Sequence, residues 1–306
     1  QVGGFVETFA FSSSAPETTL EAGAFKGVLK NAVLKKQGCT VEDIAGTSSW
    51  APSDFIATLA PLAKGLEIDL PFWSPVHNAS GAPPTHVSNF GDGGCSDNLN
   101  LGSIIQRGVK SIVLFLTAQH PLSPADKWDP FSQQSTSDIS KHVDSLVPGY
   151  FGRDVDGGGN DSIGWDYSRN QFFNFSDFAP TISALQKAQA TGNGAVATTE
   201  LTTVQNDWQG VPAGLKINVT WVYLSRAASW EADLPAETRR HVVPTFTPNN
   251  PATTPSVGPF TGFPHYNTFT QLHLTAEQSN LLADLSGWVI HKNQDIFRRA
   301  LRHDIR

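Results

Sequence analysis

The sequence predicts an α/β fold, and three successive segments carry that prediction. Residues 109–116 are almost all apolar and β-rich, as in a strand buried on both faces of a parallel sheet. Residues 98–107 precede this run and predict a short helix, which Gly108 would close as a C-terminal cap. A strand-like run at 86–90 stands before the helix. Strand, helix and strand in succession are typical of the βαβ units of α/β domains.

The other elements follow from hydrophobic periodicity and from chain breakers. A strand is predicted at 3–12 and a short helix at 53–60, whereas the proline-rich residues 66–84 predict a surface excursion. Further along, the pattern predicts a helix at 178–191 and two strands that pair as a hairpin or lie in the same sheet, at 195–203 and 216–224.

The C-terminal part combines a connector with a strong helix signal. Residues 242–276 contain no Lys, Arg, Asp or Glu and are punctuated by prolines, which predicts an extended, packed connector. Thr275 and Gln278 then form the pattern of a capping box at a helix start. Apolar residues follow at helical spacing: Leu281, Leu282, Leu285, Trp288 and Val289.

Composition excludes several classes of protein. The 306 residues are 39% hydrophobic and carry a formal net charge of −7, which suits one large domain or a domain with an extension. No apolar run has the length of a bilayer span, and the acidity argues against a nucleic-acid partner. The basic run at 291–306 is expected to be a solvated helix end, with transient membrane-surface contact as the alternative.

Sequence features also favour a secreted or lumenal protein, with a cytoplasmic one as the alternative. Cys39 and Cys95 allow one disulfide or two buried thiols. Three Asn-x-Ser/Thr sites lie in polar or loop-like stretches and are glycosylation candidates: Asn78, Asn160 and Asn174. A fourth, Asn218, lies in an apolar strand-like run and would be a poor acceptor. Because Gln1 opens the chain and methionine is absent, we expect a processed chain or a piece of a longer one.

The candidate catalytic residue is Asp92, in the turn Gly91-Asp92-Gly93-Gly94. A carboxylate placed straight after a strand lies where α/β folds put their sites, and flanking glycines let a substrate approach. Such an Asp can take the proton of a serine hydroxyl as its oxygen attacks an ester. The tripeptide alone favours a plain Asx-type turn, in which the Asp bonds only its own backbone.

The surroundings of Asp92 change that balance, because they resemble a known family. Gly91-Asp92-Gly93-Gly94-x-x-Asp97-Asn98-Leu99, followed by Gly108-Val109 and an apolar strand, is similar to the aspartate segment of patatin-like and cytosolic-phospholipase-like serine–aspartate lipid acyl hydrolases. Residues 45–52 and Phe263-Pro264-His265-Tyr266 resemble other parts of these enzymes. The strongest match covers roughly residues 40–120.

The resemblance implies a fold in which helices cover both faces of a patatin-like or phospholipase-like sheet. Residues 1–125 would form the C-terminal half of the α/β acyl-hydrolase domain, and residues 126–306 an irregular extension packed on it and ending in helices. Asp92 would be the catalytic base, and Gly91, Gly93, Gly94 and Asn98 would shape its turn. The chemistry implied is hydrolysis of phospholipid or lysophospholipid esters, without metal or cofactor.

The family's second catalytic residue is not found in the chain. Its nucleophilic serine belongs to Gly-x-Ser-x-Gly and lies well upstream of the Asp. The nearest string, Gly46-Thr47-Ser48-Ser49-Trp50, lacks the second glycine, so Ser48 is expected to be a packed turn serine. We therefore expect the serine on a separate or missing N-terminal segment, a companion chain that carries Gly-x-Ser-x-Gly, and little activity from this chain alone. The alternative is a non-catalytic binding or structural subunit that retains the fold.

Other polar candidates have simpler interpretations. The acidic loop 154–161 fails as a calcium site because Trp165 stands where an EF-hand places its bidentate Glu. The histidines lack metal-ligand spacing, and three near the expected site are interpreted as structural: His86, His120 and His265. Trp50, Trp73 and Trp128 are expected to pack in the core rather than to line an acyl pocket.

Overall fold

A computed structural model describes residues 68–73, 85–90, 97–132, 136–153, 170–242, 262–266, 271 and 273–302. The described residues up to Asn100 and those from Leu101 onwards belong to two compact units. The predicted strand at 3–12 and the predicted helix at 53–60 lie outside the described residues.

Strands and helices are interspersed along the chain, which establishes a mixed α/β protein. In chain order the described elements are β1 (Ile68–Trp73), β2 (Thr85–Phe90), α1 (Leu101–Gln106), β3 (Ser111–Leu116), α2 (Thr136–Ile139), α3 (Leu146–Gly149), α4 (Phe178–Ala190), β4 (Ala195–Thr202), β5 (Lys216–Tyr223), α5 (Ala228–Asp233), α6 (Ala236–Val242), α7 (Ala276–Lys292) and α8 (Gln294–Arg302). The predictions at 86–90, 178–191, 195–203 and 216–224 are therefore confirmed.

Strands β1 and β2 form an antiparallel pair in the first unit, from Ile68 opposite Phe90 to Trp73 opposite Thr85. The surface excursion predicted at 66–84 did not include a strand, yet β1 lies within it. Pro71 is compatible with an edge strand that does not need its N–H. Trp73 is buried, as expected from core packing.

The second unit contains a three-stranded sheet in the order β3-β5-β4. Strand β3 runs parallel to β5, and β4 pairs antiparallel with β5, as one of the two predicted arrangements requires. The βαβ unit predicted from 86–90, 98–107 and 109–116 is not formed, because β2 and β3 belong to different sheets. A run of apolar residues predicts a strand but does not specify its neighbour, and β3 pairs with a strand about a hundred residues later in the chain.

Helices cover both faces of this sheet. On one face Trp221 of β5 stacks against Phe151, with ring centroids 6.0 Å apart, and Phe151 contacts Phe178 at the start of α4. On the other face Val196 of β4 packs with Leu285 of α7 in a second buried cluster. The core of the unit therefore lies on both sides of β5.

Strand β3 is not buried on both faces, so that prediction is wrong. Ile112, Leu114 and Leu116 are buried, whereas Phe115 on the opposite face is 54% exposed. The reason is local: β3 pairs with β5 on one side, and the ring that packs on Phe115 is that of Phe297 from α8.

The C-terminal helix signal is confirmed in detail. The Thr275 hydroxyl oxygen accepts a hydrogen bond from the backbone N–H of Gln278 at 3.2 Å, and the Gln278 side chain accepts one from the Thr275 N–H at 2.8 Å. This capping box satisfies two N–H groups that the first turn of α7 cannot bond internally. None of the described helices combines the length and apolarity needed to cross a bilayer.

Candidate functional site

The predicted catalytic turn follows a described strand directly. Strand β2 ends at Phe90, and Asp92 is the second residue beyond it. The turn itself lies outside the described residues: Gly91, Asp92, Gly93 and Gly94. Asn98, which was expected to shape it, is exposed. The helix α1 that follows is closed by Gly108 with a positive φ of 75°, the backbone conformation expected of a glycine cap.

The other predicted sites are divided between described and undescribed residues. Cys39, Cys95, Asn78, Asn160 and the loop 154–161 lie outside the described residues. Asn174 is exposed at the start of a 3₁₀ turn, and its side chain makes no capping hydrogen bond. Asn218 lies within β5, the central strand of its sheet.

The described residues bring polar groups together at the carboxyl end of β3, which sequence reasoning did not find. Asp144 is buried, and its carboxylate accepts hydrogen bonds from the N–H groups of Gln119 at 2.7 Å and Leu146 at 3.1 Å. The backbone N–H of Asp144 donates to the Tyr223 hydroxyl at 2.8 Å, and that hydroxyl donates to the carbonyl of His120 at 2.6 Å. The Asp144 cluster thus joins the ends of β3 and β5 to the segment before α3.

Electrostatics fix the protonation of the tyrosine in this cluster. Burial raises the pKa of Tyr223 well above its usual value, and the nearby Asp144 carboxylate raises it further. The hydroxyl is therefore neutral at physiological pH and retains its proton for the bond to His120. Both hydrogen bonds of the hydroxyl are within the protein, so Tyr223 is built as a structural bridge.

His265 lies beside the same cluster. Its Nδ1 is 2.9 Å from the carbonyl oxygen of Ala118, and a carbonyl only accepts, so Nδ1 carries the proton. Burial is the largest effect on the pKa of His265 and lowers it. The hydrogen bond to the Ala118 carbonyl and the Asp144 charge raise this pKa, whereas His120 and Arg226 lower it. The ring is thus a neutral imidazole whose Nε2 is a proton acceptor. The Nδ1 bond ties residues 262–266 to the end of β3, which supports the expected structural role.

An apolar cleft opens at the same edge of the sheet. Its volume is about 80 Å³, and it lies between the ends of β3 and β5 and helix α7. The residues that line it include Leu116, Val222, Leu285 and Val289. Ligand sites of α/β sheets stand at the carboxyl ends of parallel strands, so its position suits a small apolar ligand. Its lining contains no carboxylate or histidine that could act as a base.

A serine–histidine contact lies on a neighbouring loop. Ser123 Oγ is 3.0 Å from His142 Nδ1, and the His142 ring stacks on Trp128 with centroids 5.0 Å apart. Such a distance allows a histidine to activate a serine. The backbone of Ser123 also bonds the carbonyl of His142, so the pair closes a loop as well. Trp128 itself is buried, in agreement with core packing.

The described residues do not gather metal ligands. Within the described ranges no group of three or more His, Cys, Asp or Glu side chains is placed to hold an ion. His86 is exposed and its ring lies 5.9 Å from that of Phe72, while His120 takes part through its carbonyl. Comparisons of the chain with protein-family models, curated proteins and solved structures find no match.

Proposed function

We propose that this chain is the Asp-bearing part of a serine lipid acyl hydrolase that cleaves phospholipid or lysophospholipid esters. The observation that carries the proposal is the position of Asp92, two residues beyond the end of β2 and between glycines. Strand ends are where α/β proteins place reacting groups. The likeness of residues 91–109 to the aspartate segment of patatin-like and cytosolic-phospholipase-like enzymes supports the proposal. Under this proposal the α/β fold would be built on a patatin-like or phospholipase-like sheet.

The proposed reaction needs a serine and Asp92. The serine oxygen attacks the ester carbonyl carbon while Asp92 takes the hydroxyl proton. Asp92 then returns the proton to the departing alcohol, and an acyl-serine remains. Asp92 next takes a proton from water, whose oxygen attacks the acyl carbon, and returns that proton to the serine oxygen as the fatty acid is released. Backbone N–H groups near the serine would stabilise the negative oxygen in each step.

The serine is proposed to come from outside these 306 residues, because they contain no Gly-x-Ser-x-Gly. A companion chain or segment with that motif would complete the site, and this chain by itself would be inactive. The missing motif also favours a second candidate, a non-catalytic binding or structural subunit that keeps the fold. The two candidates differ in whether the native assembly contains a reactive serine next to Asp92.

Serine-directed labelling of the native assembly separates these candidates. A fluorophosphonate probe should label a serine on the companion chain, and intact mass should reveal that chain. Asp92→Asn should reduce the labelling rate by about a hundredfold or more, because a general base contributes about 10²–10⁴ in rate. The matched carboxylate control is Asp126→Asn, since Asp126 is exposed and its ion pair within the described part of the chain is with its exposed neighbour Lys127.

Two further outcomes decide against the hydrolase. An intact assembly that takes no label at all would favour the non-catalytic subunit. Labelling that maps to Ser123 and disappears in Ser123→Ala would assign the reactivity to the Ser123–His142 contact and not to Asp92. An unchanged rate in Asp92→Asn would remove Asp92 from the mechanism.

A secreted or lumenal location belongs to the same proposal. Asn174 and Ser176 of its glycosylation sequence are both exposed, so an oligosaccharide at Asn174 would meet solvent. The native chain should lose mass on treatment with an N-glycosidase. The Asn174→Gln variant should lose less mass, by the amount of one oligosaccharide. A native chain of unmodified mass would favour the cytoplasmic alternative.

A further inference from the structure

Helix α8 presents an exposed basic and apolar surface on a chain that is acidic as a whole. Its members are called the α8 face here: Lys110, Phe115, Phe297, Arg298, Arg299, Leu301 and Arg302. The chain carries a formal net charge of −7, so this local excess of positive charge is not a consequence of composition. All these residues belong to the second compact unit.

The apolar part of the α8 face is a short exposed strip. The rings of Phe115 and Phe297 stack with centroids 6.4 Å apart and an interplanar angle of 12°. Leu301 follows Phe297 by four residues, so the two lie on the same side of the helix. Phe115 is 54% exposed and Leu301 is 69% exposed, which leaves the strip in contact with water. Large apolar side chains exposed next to one another mark an interaction surface.

Arg298 and Arg302 border this strip, because each follows one of its apolar residues, and Arg299 lies further round the helix. Arg298, Arg299 and Arg302 are exposed, and neither Arg299 nor Arg302 forms an ion pair with any described residue. Arg298 is 3.4 Å from Asp295, but both side chains are largely exposed, so water screens the pair. Lys110 is also exposed. Asp295 is the acidic residue of α8, so the helix has a clear excess of cations.

The α8 face is held in place by the sheet. The hydroxyl of Ser111, the first residue of β3, donates a hydrogen bond to the carbonyl of Ala300 at 2.7 Å. Ala300 is buried and Ile296 is half-buried, so the opposite side of α8 packs on the unit. Because Lys110 immediately precedes Ser111, its backbone lies close to the same end of the helix. The cations are therefore presented by a fixed scaffold.

We propose that the α8 face docks onto the surface of a bilayer rich in anionic lipid. The cations would approach the lipid phosphates while Leu301 and Phe115 enter the apolar boundary below them, as in interfacial amphipathic helices. This interaction goes beyond the proposed hydrolase reaction and can be measured without it.

Charge and apolarity together favour a lipid surface over two other occupants. A symmetric contact with a second copy would bring the same arginines of both copies together, and that repulsion opposes it. A nucleic acid would use the arginines but would leave Leu301 and the stacked rings in water. An anionic bilayer satisfies both parts of the face.

Vesicle sedimentation of the complete chain tests the proposal. We expect binding to equimolar phosphatidylcholine–phosphatidylglycerol vesicles, weakened by salt, and much weaker binding to phosphatidylcholine alone. The triple variant R298Q/R299Q/R302Q should bind the anionic vesicles about a hundredfold more weakly, because each arginine near the surface contributes about fivefold. The control K127Q/K187Q/R240Q removes the same charge from exposed positions elsewhere and should bind like the parent.

A second variant tests the apolar strip. Leu301→Ala should weaken binding about tenfold or less, because alanine buries fewer aliphatic carbons in the apolar boundary of the bilayer. The loss should be largest in the part of the binding that remains at high salt. Phe131→Ala is its control, since Phe131 is similarly exposed, at 61%, but lies on another loop. Unchanged circular dichroism and thermal unfolding would show that each variant is folded.

Any one of several binding results would overturn the proposal. These are equal binding to neutral and anionic vesicles, equal losses in the triple variant and its charge-matched control, a dimer that the triple variant dissociates, and tighter binding to a nucleic acid duplex than to anionic vesicles. Free inorganic phosphate that competes with vesicles at low millimolar concentration would also overturn it, since docking requires the surface and not the isolated anion.

Discussion

Replacing Tyr223 with phenylalanine should destabilise the protein at neutral pH and make its stability less sensitive to alkali. The Tyr223 hydroxyl is buried between two backbone groups, because it accepts from the Asp144 N–H at 2.8 Å and donates to the His120 carbonyl at 2.6 Å. Phenylalanine fills the same volume, so no cavity forms. What is lost is the pair of hydrogen bonds.

The expected cost follows from the groups left behind. Removing one partner of a buried hydrogen bond costs about 1–3 kcal/mol, because the other partner loses its bond without regaining water. We therefore expect Tyr223→Phe to lower the free energy of unfolding by about 1–3 kcal/mol at pH 7. Urea unfolding followed by tryptophan fluorescence measures it, with an unchanged dependence on urea.

The alkaline part of the prediction follows from the raised pKa of Tyr223. Above a pH of about 10 an unfolded tyrosine loses its proton, whereas the folded Tyr223 retains it. The unfolded state then binds fewer protons, so the parent loses stability as the pH rises, by up to about 1.4 kcal/mol per pH unit. The phenylalanine variant lacks this loss, and the difference between the two proteins should narrow above pH 10.

A matched control removes a hydroxyl that does not titrate. Thr198 Oγ1 is 2.7 Å from Thr220 Oγ1 across β4 and β5, so Thr198→Val also deletes a hydrogen bond. Its destabilisation should be the same at pH 8 and pH 10.5. A Tyr223→Phe variant as stable as the parent at pH 7, or a difference that stays constant into alkali, would refute the assigned role of the Tyr223 hydroxyl.

The remaining predictions concern backbone, cap and acid sensitivity. Gly194→Ala should destabilise the protein by about 2 kcal/mol or more, because the φ of Gly194 is 89° and a Cβ there would lie 2.9 Å from the Val289 side chain. The control is Gly214→Ala, where a Cβ would meet open space. It should cost only about 1 kcal/mol of backbone strain in the same thermal unfolding assay. Thr275→Ala should lower the free energy of unfolding by about 1 kcal/mol by removing the capping box of α7. Thr275→Ser keeps a hydroxyl at this position and should retain most of that stability. Burial lowers the pKa of His265 in the folded protein. The neutral ring therefore contributes to the free energy of unfolding above a pH of about 6.5, and this contribution is lost as the pH falls. His265→Asn should therefore flatten the acid side of the stability profile, and an unchanged slope between pH 7 and pH 5 would contradict this.

Local patterns were sufficient to predict several elements. The apolar run at 216–224 and the capping box at Thr275 encode strand and helix within a few residues, and both are confirmed. Pairing is a non-local property, which is why the neighbour of β3 was predicted wrongly. The β1 strand was missed because Pro71 was interpreted without knowing that β1 is paired on one side by β2.

The Asp144 cluster shows why part of a polar site escapes sequence reasoning. Asp144 and Tyr223 are 79 residues apart, and neither belongs to a recurring motif. A weak signal existed in the chain, because Asp144 accepts from the N–H of Leu146 as Asp residues do in turns before a helix. Nothing local indicates that the other carboxylate oxygen bonds Gln119.

The hydrogen bonds of this cluster also bear on where chemistry can take place. A reacting group must have an atom that substrate can meet, yet the carboxylate of Asp144 is engaged by backbone N–H groups and the Tyr223 hydroxyl uses both its donor and its acceptor position. A hydrolase built on these two side chains would have to break the bonds that connect β3 and β5 to their flanking loop. The cluster is therefore best explained as structural, and the proposed catalytic role of Asp92 is what the labelling experiment tests.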